Sequence, residues 1–272
     1  MNSIFNYKIH DDIKYGLEIE YGRSTDKLCK CGIHTRQHNF TDDCIMFAFH
    51  KDKIKNSADV GHHNNSWYFT NGVWSHGTDG SIFGYGHTGE IRSPILSGEK
   101  DLAQIHKVYI FLKELGCEVN ESCGLHVHFD AQNFTLTDIK SIICFFKLYE
   151  QSINRLLPEH RHNNRYALSM GALDTISTLR SVKSWETLHN LYPTHYYRVC
   201  IQQIIEHKSI EFRQHQATLN FKRVMRWIKL LSACLELCKN EKFYDKKYDK
   251  LSYSSLSDLE EVLNYDVRIK IL

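Results

Sequence analysis

The segment GLEIEY at residues 16–21 alternates apolar and acidic side chains with a period of two. Successive side chains of a β-strand point to opposite faces of the sheet, so residues two apart share a face. A strand over 14–21 would therefore place Glu18 and Glu20 on one face and its apolar side chains on the other. The segment predicts a strand that is apolar on one side and carries two carboxylates on the other.

Three further stretches repeat this alternation with acidic, imidazole or guanidinium side chains. They lie at 89–92, 123–130 and 210–215, and their polar positions include Glu90, Arg92, His126, His128, Glu211 and Arg213. On a single strand such alternation is typical of a solvated sheet face. Because four stretches show it with apolar partners in between, we interpret them as contributing to one polar face.

A sheet face that gathers several carboxylates requires a counter-ion. Neighbouring carboxylates raise each other's pKa values unless cations bind among them. Hard divalent cations take oxygen ligands, and Mg²⁺ commonly bridges carboxylates and phosphates, while arginine side chains bind the remaining phosphate charge. The combination of residue types predicts a site for magnesium and phosphate groups.

The rest of the chain contains helical and extended patterns in irregular order. Apolar residues at helical spacing predict helices over 99–115, 137–156, 182–191 and 224–238, and two hairpins are predicted over 117–130 and 197–215. Strands separated by hairpins and helices, without regular alternation, are typical of an α+β fold with a mainly antiparallel sheet. We expect the helices to cover the apolar face of that sheet.

The pattern along the chain predicts one catalytic domain over residues 1–240. An insertion at about 22–78, rich in His, Asn, Asp and Gly, interrupts it, and its structure is the least predictable part. Residues 241–272 are expected to form a polar linker followed by a short capping element.

Composition excludes several classes of protein. The chain has 272 residues, 42% of them hydrophobic, and a net charge of only +2, which does not favour binding to nucleic acid or to a membrane surface. No stretch resembles a signal peptide or a membrane span, so we expect a soluble cytoplasmic protein. Nine cysteines in such a protein are expected to be reduced thiols.

The predicted insertion contains a group of soft metal ligands within sixteen residues, namely Cys29, Cys31, His34, His38 and Cys44. Four such ligands suffice for a tetrahedral structural zinc site. The Cys-x-Cys spacing is tighter than the usual Cys-x₂-Cys, and a polar loop without metal explains the residues equally well. Both interpretations stay open at this point.

Taken in order, the motifs resemble those of the amidoligases of bacteria, fungi and phages, a branch of the glutamine synthetase-like carboxylate-amine ligase superfamily. The matching pieces are GLEIE at 16–20, DGSI at 79–82, GEIRSP at 89–94, CGLHVH at 123–128, IEFRQH at 210–215 and TLN at 218–220. Together they cover about residues 13–238. The insertion between Glu20 and Asp79 departs from the family pattern. The resemblance therefore does not predict the form of the substrate pocket.

The resemblance implies a curved, half-barrel sheet with Mg²⁺ and ATP on its concave face. The implied metal ligands are Glu18, Glu20, Glu90, His126 and Glu211, with Mn²⁺ as an alternative ion. Arg213 would contact phosphate, together with Arg92 or Arg161, and His128 and Tyr166 would support the metal site or bind nucleotide or substrate. Asp79 lies in a loop similar to one that contacts the amine or amino-acid substrate. In the reaction a carboxylate such as Glu90 or Asp79 could deprotonate the attacking amine, and the sequence does not single out one of them.

The resulting hypothesis is an ATP-dependent ligase that joins a small-molecule or peptide acid to an amine through an acyl phosphate. Two alternatives come from other classes. The His-x-His strand with Glu211 also suits a zinc hydrolase, although the additional glutamates argue against zinc. A nucleotide-binding module without catalysis is the third possibility, and the presence of both the acids and Arg213 weakens it.

Overall fold

The computed structural model describes residues 2–24, 74–171, 176–245 and 253–267. The predicted zinc ligands and most of the predicted insertion lie outside the described residues. Six cysteines fall within them, and each of these is a buried free thiol.

The described segments contain eight α-helices and nine β-strands. In chain order they are β1 (Asn2–Ser3), β2 (Lys14–Arg23), β3 (Ser75–Gly77), β4 (His87–Arg92), β5 (Leu96–Ser97), α1 (Leu102–Glu114), β6 (Gly124–Asp130), α2 (Leu136–Leu148), α3 (Glu150–Asn154), α4 (Ile176–Ser181), α5 (Trp185–Leu191), β7 (Val199–Cys200), α6 (Gln203–His207), β8 (Ser209–Gln216), α7 (Phe221–Asn240), α8 (Leu256–Leu263) and β9 (Tyr265–Asp266).

The chain divides into two compact units. The first unit comprises Met1–Ile9, Phe129–Gln214 and Met225–Leu272, and the second comprises His10–His128 and His215–Val224. The chain passes between the units four times: after Ile9, within β6, within β8 and within α7. The predicted division into a catalytic domain over 1–240 and a C-terminal element stays a prediction.

The second unit is built on strands in the order β3-β4-β2-β6, with β5 pairing to one end of β2. The β2–β4, β2–β5 and β3–β4 pairs are all antiparallel. Beyond the end of β4, the side chain of Ser93 continues the pairing because its hydroxyl accepts the Leu17 N–H at 2.8 Å and its own N–H donates to the Leu17 carbonyl. The strand predicted over 14–21 is therefore confirmed and extends to Arg23.

Helix α1 in the second unit follows the predicted helical spacing. Its apolar residues Ile105, Val108 and Leu112 are each fully buried. The chain leaves the helix at Gly116, whose φ of +73° lies in the left-handed region that favours glycine. The prediction of a helix over 99–115 is confirmed with boundaries a few residues shorter.

The first unit packs helices against the antiparallel β7–β8 pair. Phe212 of β8 is the centre of an aromatic cluster: its ring lies 5.0 Å from that of Phe146 on α2 and 5.8 Å from that of Phe129 on β6. Helix α2 begins with a capping box in which Thr135 and Asp138 exchange side-chain and backbone hydrogen bonds. A helix thus covers the apolar face of β8, as the alternation in that strand predicts.

Several predicted elements differ in detail. The helix predicted over 137–156 breaks at Tyr149 into α2 and α3. The strand predicted over 197–205 is limited to Val199–Cys200, which pairs with β8 as predicted, and the short helix α6 replaces the end of that strand and the turn, ending at Lys208 with φ +52°. In the hairpin predicted over 117–130, the first arm contributes only Glu118, which bridges to Gly22 of β2. The differences at 117–130 and 197–215 lie at connections between strands, where local patterns constrain the chain least, and the break at Tyr149 lies within a predicted helix.

The fold class is nevertheless the predicted one, α+β with a mainly antiparallel sheet that does not close into a barrel. The parallel pair of β1 and β9 in the first unit is a separate two-stranded sheet. None of the helices in the described segments combines the length and apolar character that a membrane span requires.

Gly89 of β4 lies where no side chain fits. A Cβ atom there would be 2.4 Å from Nε2 of His76 and 2.8 Å from the hydroxyl of Tyr21, two buried side chains that hydrogen-bond to each other at 2.7 Å. We expect Gly89→Ala to lower the free energy of unfolding by about 1–3 kcal/mol, because overpacking forces buried groups apart. Urea denaturation followed by circular dichroism measures this loss.

Gly80 provides the matched control because its Cβ would meet nothing within 4 Å. Gly80→Ala is expected to change the free energy of unfolding by less than about 0.5 kcal/mol. Equal stability of the two variants would show that the contact between β4 and the Tyr21–His76 pair is not close.

Candidate functional site

The candidate site in the second unit begins with three buried glutamates. Glu18 and Glu20 on β2 and Glu90 on β4 expose only 8%, 6% and 6% of their surface. Glu20 and Glu90 are direct partners in the antiparallel β2–β4 register, so their side chains lie on the same face of the sheet. The alternation of GLEIEY thus places both β2 carboxylates beside a third one.

Two histidines of β6 face these carboxylates. His126 contacts both β2 glutamates: its Nδ1 is 3.1 Å from Oε2 of Glu18 and its Nε2 is 3.6 Å from Oε1 of Glu20. Nε2 of His128 lies 3.3 Å from Oε1 of Glu18. Both imidazoles are about 95% buried. The His-x-His spacing on a strand therefore produces the shared face that the sequence predicts.

Gly124 completes the contact between β6 and β2. Its N–H donates a hydrogen bond of 2.5 Å to Oε2 of Glu20. A Cβ atom at this position would be 2.8 Å from Nε2 of His126 and 3.4 Å from Oε2 of Glu20. The glycine of the CGLHVH motif therefore gives the imidazole and the carboxylate the room that they occupy.

Arg92 on β4 is the cation of this cluster. Its guanidinium donates two hydrogen bonds to the Glu90 carboxylate, from Nη2 to Oε2 at 2.9 Å and from Nε to Oε1 at 3.3 Å. Burial acts against the charge of Arg92, but Glu90 outweighs it and, with Glu18 and Asp79, raises the pKa of Arg92 above its usual value. Arg92 therefore stays charged at the edge of the carboxylate cluster.

The electrostatics of the cluster differ from one carboxylate to the next. Burial opposes ionisation of Glu18, but the His128 and His126 imidazoles outweigh burial and hold the pKa of Glu18 well below its usual range. Burial, and then the charge of Glu18, raise the pKa of Glu90 well above its usual range against the opposing effect of Arg92. A divalent cation among these oxygens would offset this repulsion, so the donor set fits a hard metal ion.

Asp79 lies in the loop between β3 and β4, near the carboxylate cluster. Its Oδ1 accepts hydrogen bonds of 2.6 Å from both the N–H and the hydroxyl of Ser81, and its carbonyl accepts one of 3.1 Å from the hydroxyl of Thr88. Asp79 also contributes to the raised pKa of Arg92. The loop is thus fixed by its own hydrogen bonds on the side of Arg92.

Glu211 and Arg213 lie on the part of β8 that belongs to the first unit. Glu211 is 2% exposed and accepts a hydrogen bond from Nη1 of Arg213. Nε of Arg213 also donates to the carbonyl of Tyr166 at 3.2 Å. Burial, followed by the charge of Arg213, lowers the pKa of the nearby His195 and so favours its neutral form.

Arg161 is also buried in the first unit, where it holds the backbone of β8. Its Nη2 donates to the carbonyl of Arg213 at 2.8 Å and its Nε to that of Gln214 at 3.3 Å. These contacts support the position of Arg213, and a direct role of Arg161 in catalysis stays a prediction. The Tyr166 ring packs edge-on against Tyr196 with the centroids 5.7 Å apart.

The structure thus brings six predicted residues together in the second unit and four in the first. The residues in the second unit are Glu18, Glu20, Glu90, Arg92, His126 and His128. Those in the first unit are Glu211, Arg213, Arg161 and Tyr166. Two further residues were not predicted from the sequence: His195, and Arg198, a fully buried arginine that belongs to no alternating pattern. Only the proximity of Arg198 to β7 in the sequence could have drawn attention to it.

One protein family matches most of the chain. Residues 11–235 match a family model described as "Putative amidoligase enzyme". A search of curated proteins returned no match. Twenty-two solved chains match, and one of them, "Crystal structure of novel glutamine synthase homolog", is 10% identical over 93% of this chain with a TM-score of 0.38. The alignment spans 60% of that longer chain.

Proposed function

The chain belongs to this amidoligase family, and from that premise we propose that it is an ATP-dependent ligase that forms an amide bond between a carboxylate and an amine. The family label supports a ligase. Dependence on ATP and Mg²⁺, the acyl-phosphate intermediate and the nature of both substrates belong to the proposal.

The buried cluster of three carboxylates carries the proposal. Glu18, Glu20 and Glu90 share one sheet face, and among the described residues Arg92 is paired with Glu90; burial and then the charge of Glu18 raise the pKa of Glu90 well above its usual range. Buried carboxylates with strongly shifted pKa values are concentrated at functional sites, and this concentration favours a functional role for the cluster. Oxygen ligands of this number suit Mg²⁺ or Mn²⁺ better than Zn²⁺, which takes fewer and softer ligands.

The metal set in this proposal is Glu18, Glu20, Glu90 and His126, and Glu211 is the fifth candidate from the sequence. The glutamates would supply anionic oxygens, and His126 is fixed for this task by its contacts with Glu18 and Glu20. His128 would orient Glu18 through the contact between its Nε2 and Oε1. When bound, the metal ion would neutralise phosphate charge on ATP.

Formation of an amide from a free carboxylate is unfavourable in water, so the acid must be activated first. In the proposed reaction a carboxylate oxygen of the acid attacks the γ-phosphorus of ATP, which gives an acyl phosphate and ADP. The amine nitrogen then attacks the acyl carbon and phosphate leaves. Arg213 and Arg92 would stabilise negative charge on the transferred phosphoryl group, a task for which a planar guanidinium is suited.

The attacking amine must lose a proton, and Asp79 and Glu90 are the candidates for the base. The Asp79 carboxylate is held in place by the two hydrogen bonds that it accepts from Ser81. Burial, followed by the charge of Glu18, raises the pKa of Glu90 well above its usual range, which makes this carboxylate a stronger base. Tyr166, which belongs to the first unit, would bind nucleotide or substrate. Its carbonyl accepts a hydrogen bond from Arg213.

The test is phosphate and ADP release by the purified protein with ATP and Mg²⁺. We expect release only when both an acid and an amine are present, and stabilisation of the protein against heat by ATP with Mg²⁺. Stabilisation by Zn²⁺ alone, with hydrolysis of an amide or ester and no effect of ATP, would instead identify a zinc hydrolase. Stabilisation by ATP without turnover on any pair would identify a nucleotide-binding module.

A further inference from the structure

A pocket of about 440 Å³ lies within the first unit. The loop after α3 forms most of it, through Asn163, Asn164, Arg165, Leu168 and Ser169, and Tyr197 contributes from the chain that enters β7. This volume falls within the range of about 300–1,000 Å³ that small-molecule sites occupy. The pocket contains none of the carboxylates assigned to the metal site.

The groups that line the pocket offer hydrogen-bond donors and one positive charge. Within the part of the chain that the structure describes, the Arg165 guanidinium forms no hydrogen bond or ion pair and lies over the Tyr166 ring, with Cζ 4.7 Å from its centroid. Asn164 uses its Oδ1 to accept the Tyr166 N–H at 2.8 Å, which leaves its Nδ2 group available. Leu168 is 36% exposed and adds an apolar wall.

A buried polar network fixes the walls of this pocket. The His162 carbonyl and the Ala167 carbonyl both accept hydrogen bonds from the buried Arg198. The Ser169 hydroxyl donates to Oε1 of Glu150 at 2.5 Å, and Nε2 of His162 donates to the Asn154 carbonyl at 2.7 Å. Because these contacts hold the loop in place, a ligand would meet a preformed pocket and lose little free energy in ordering it.

The pocket is also joined to the arginine that the proposed reaction assigns to phosphate. Tyr166 follows Arg165 directly, and its carbonyl accepts the hydrogen bond from Nε of Arg213. Arg165 therefore directly precedes the residue whose carbonyl contacts Arg213. A substrate held here would be bound by the element that positions Arg213.

We propose that this pocket binds the acid substrate of the ligase through a carboxylate, with Arg165 as the anchoring cation and Asn163 and Asn164 as amide hydrogen-bond partners. The inference rests on the proposed function and names the substrate that the site holds. A single exposed arginine matches the charge of one carboxylate, and an ammonium group would be repelled by it. Leu168 and Tyr197 select for an acid with an apolar portion next to its carboxylate.

The test measures binding of carboxylates without ATP or Mg²⁺. The probes are N-acetyl-leucine, N-acetyl-phenylalanine and glycyl-leucine, each compared by calorimetry with the matching C-terminal amide. We expect the wild-type protein to bind at least one acid in the millimolar range or tighter, and its amide about 10- to 100-fold more weakly, because a hydrogen-bonded ion pair is lost.

Arg165→Met removes the guanidinium and keeps much of the side-chain length. It is expected to weaken binding of the acid by about 10- to 100-fold while leaving binding of the amide unchanged. Arg165→Lys keeps the charge without the planar fork and is expected to fall between the two. Lys183→Met removes an exposed cation in the same unit that lines no part of the pocket, and it should bind the acid as the wild type does.

Equal binding of acid and amide, undiminished binding by Arg165→Met, or no binding of any acid to the wild type would each overturn the assignment of this pocket. These outcomes are separate from the failure of the proposed function, because no nucleotide or metal is present. A protein that releases phosphate with an acid and an amine, and whose rate is unchanged by Arg165→Met at low acid concentration, would be a ligase whose acid binds elsewhere.

Discussion

Replacement of Glu20 by glutamine is expected to abolish phosphate release while leaving the fold intact. The introduced side chain would have nearly the shape of the glutamate, and its amide oxygen could still accept the Gly124 N–H. It would lack the charge that a metal ion requires. Because charge stabilisation by a bound metal contributes several kcal/mol to a reaction barrier, we expect kcat to fall by at least about a hundredfold.

Stability separates this effect from simple damage to the protein. Glu20 lies opposite Glu90 and contributes to the raised pKa of that residue. Removal of its charge therefore relieves repulsion, and the free energy of unfolding of Glu20→Gln without metal should stay within about 1 kcal/mol of the wild type. The additional heat stability given by Mg²⁺ with ATP should disappear.

Glu114→Gln is the matched control, because Glu114 is an exposed carboxylate on α1 in the same unit. It should retain full activity and full stabilisation by Mg²⁺ with ATP. Glu211→Gln is expected from the sequence to lose activity as Glu20→Gln does. Full turnover by purified Glu20→Gln would contradict the proposal that the β2 carboxylates bind a metal ion. The buried cluster would then have no assigned function in the reaction.

The parts of the site that could be predicted from the sequence are those that follow from the period of a strand. The alternation in GLEIEY and LHVHF fixes which side chains share a face, because the geometry of one strand is sufficient to determine it. Glu18, Glu20, His126 and His128 were therefore identified without knowledge of the pairing. Their burial on a common face agrees with that prediction.

The register between strands could not be predicted in the same way. Glu20 faces Glu90 because β2 and β4 pair at one particular offset, and 69 residues of intervening chain carry no signal for that offset. The different electrostatics of Glu18 and Glu90 follow from this register together with the positions of His128 and Arg92. The alternation within one strand determines the sheet face on which a side chain lies. It does not determine which residues of the neighbouring strands lie beside that side chain.

The connections were predicted less well for a related reason. Helix α6 occupies a short stretch that alternates too weakly to separate a strand from a helix, and Lys208 ends it in the left-handed region without being a glycine. The break at Tyr149 likewise falls inside a continuous apolar stripe. Tyr149 stacks on Tyr253 with the ring centroids 4.8 Å apart. The break therefore coincides with packing against a segment that is distant in the sequence, and no local residue pattern predicts it.

Arg198→Met is expected to destabilise the first unit more than any other single change considered above. Arg198 is 1% exposed, and its guanidinium donates to the Ala167 carbonyl at 3.0 Å, to Oδ1 of Asn154 at 2.6 Å and to the His162 carbonyl. Nη1 also lies 3.5 Å from Oε1 of Glu150. Loss of the cation leaves a buried carboxylate without its charge partner, which costs about 3–5 kcal/mol.

Urea denaturation measures this loss, and a second variant keeps the test informative if Arg198→Met does not fold. Arg198→Lys retains the charge but its single ammonium cannot reach three acceptors on different segments, so an intermediate loss is expected. Glu150→Gln removes the negative partner and keeps an oxygen for the Met170 N–H, which Glu150 accepts at 2.8 Å. The double variant should lose less than the sum of the single losses, because both act on one network.

The same network bears on activity, because the loop that it holds also carries the carbonyl of Tyr166 that binds Arg213. Arg198→Lys should therefore lower kcat through the position of Arg213, with the affinity for ATP and Mg²⁺ at the β2 carboxylates less affected. Additive losses of stability in the double variant would show that Arg198 and Glu150 act independently. Unchanged stability of Arg198→Met would mean that the loop is held by the backbone contacts around Leu168 and Tyr196 alone.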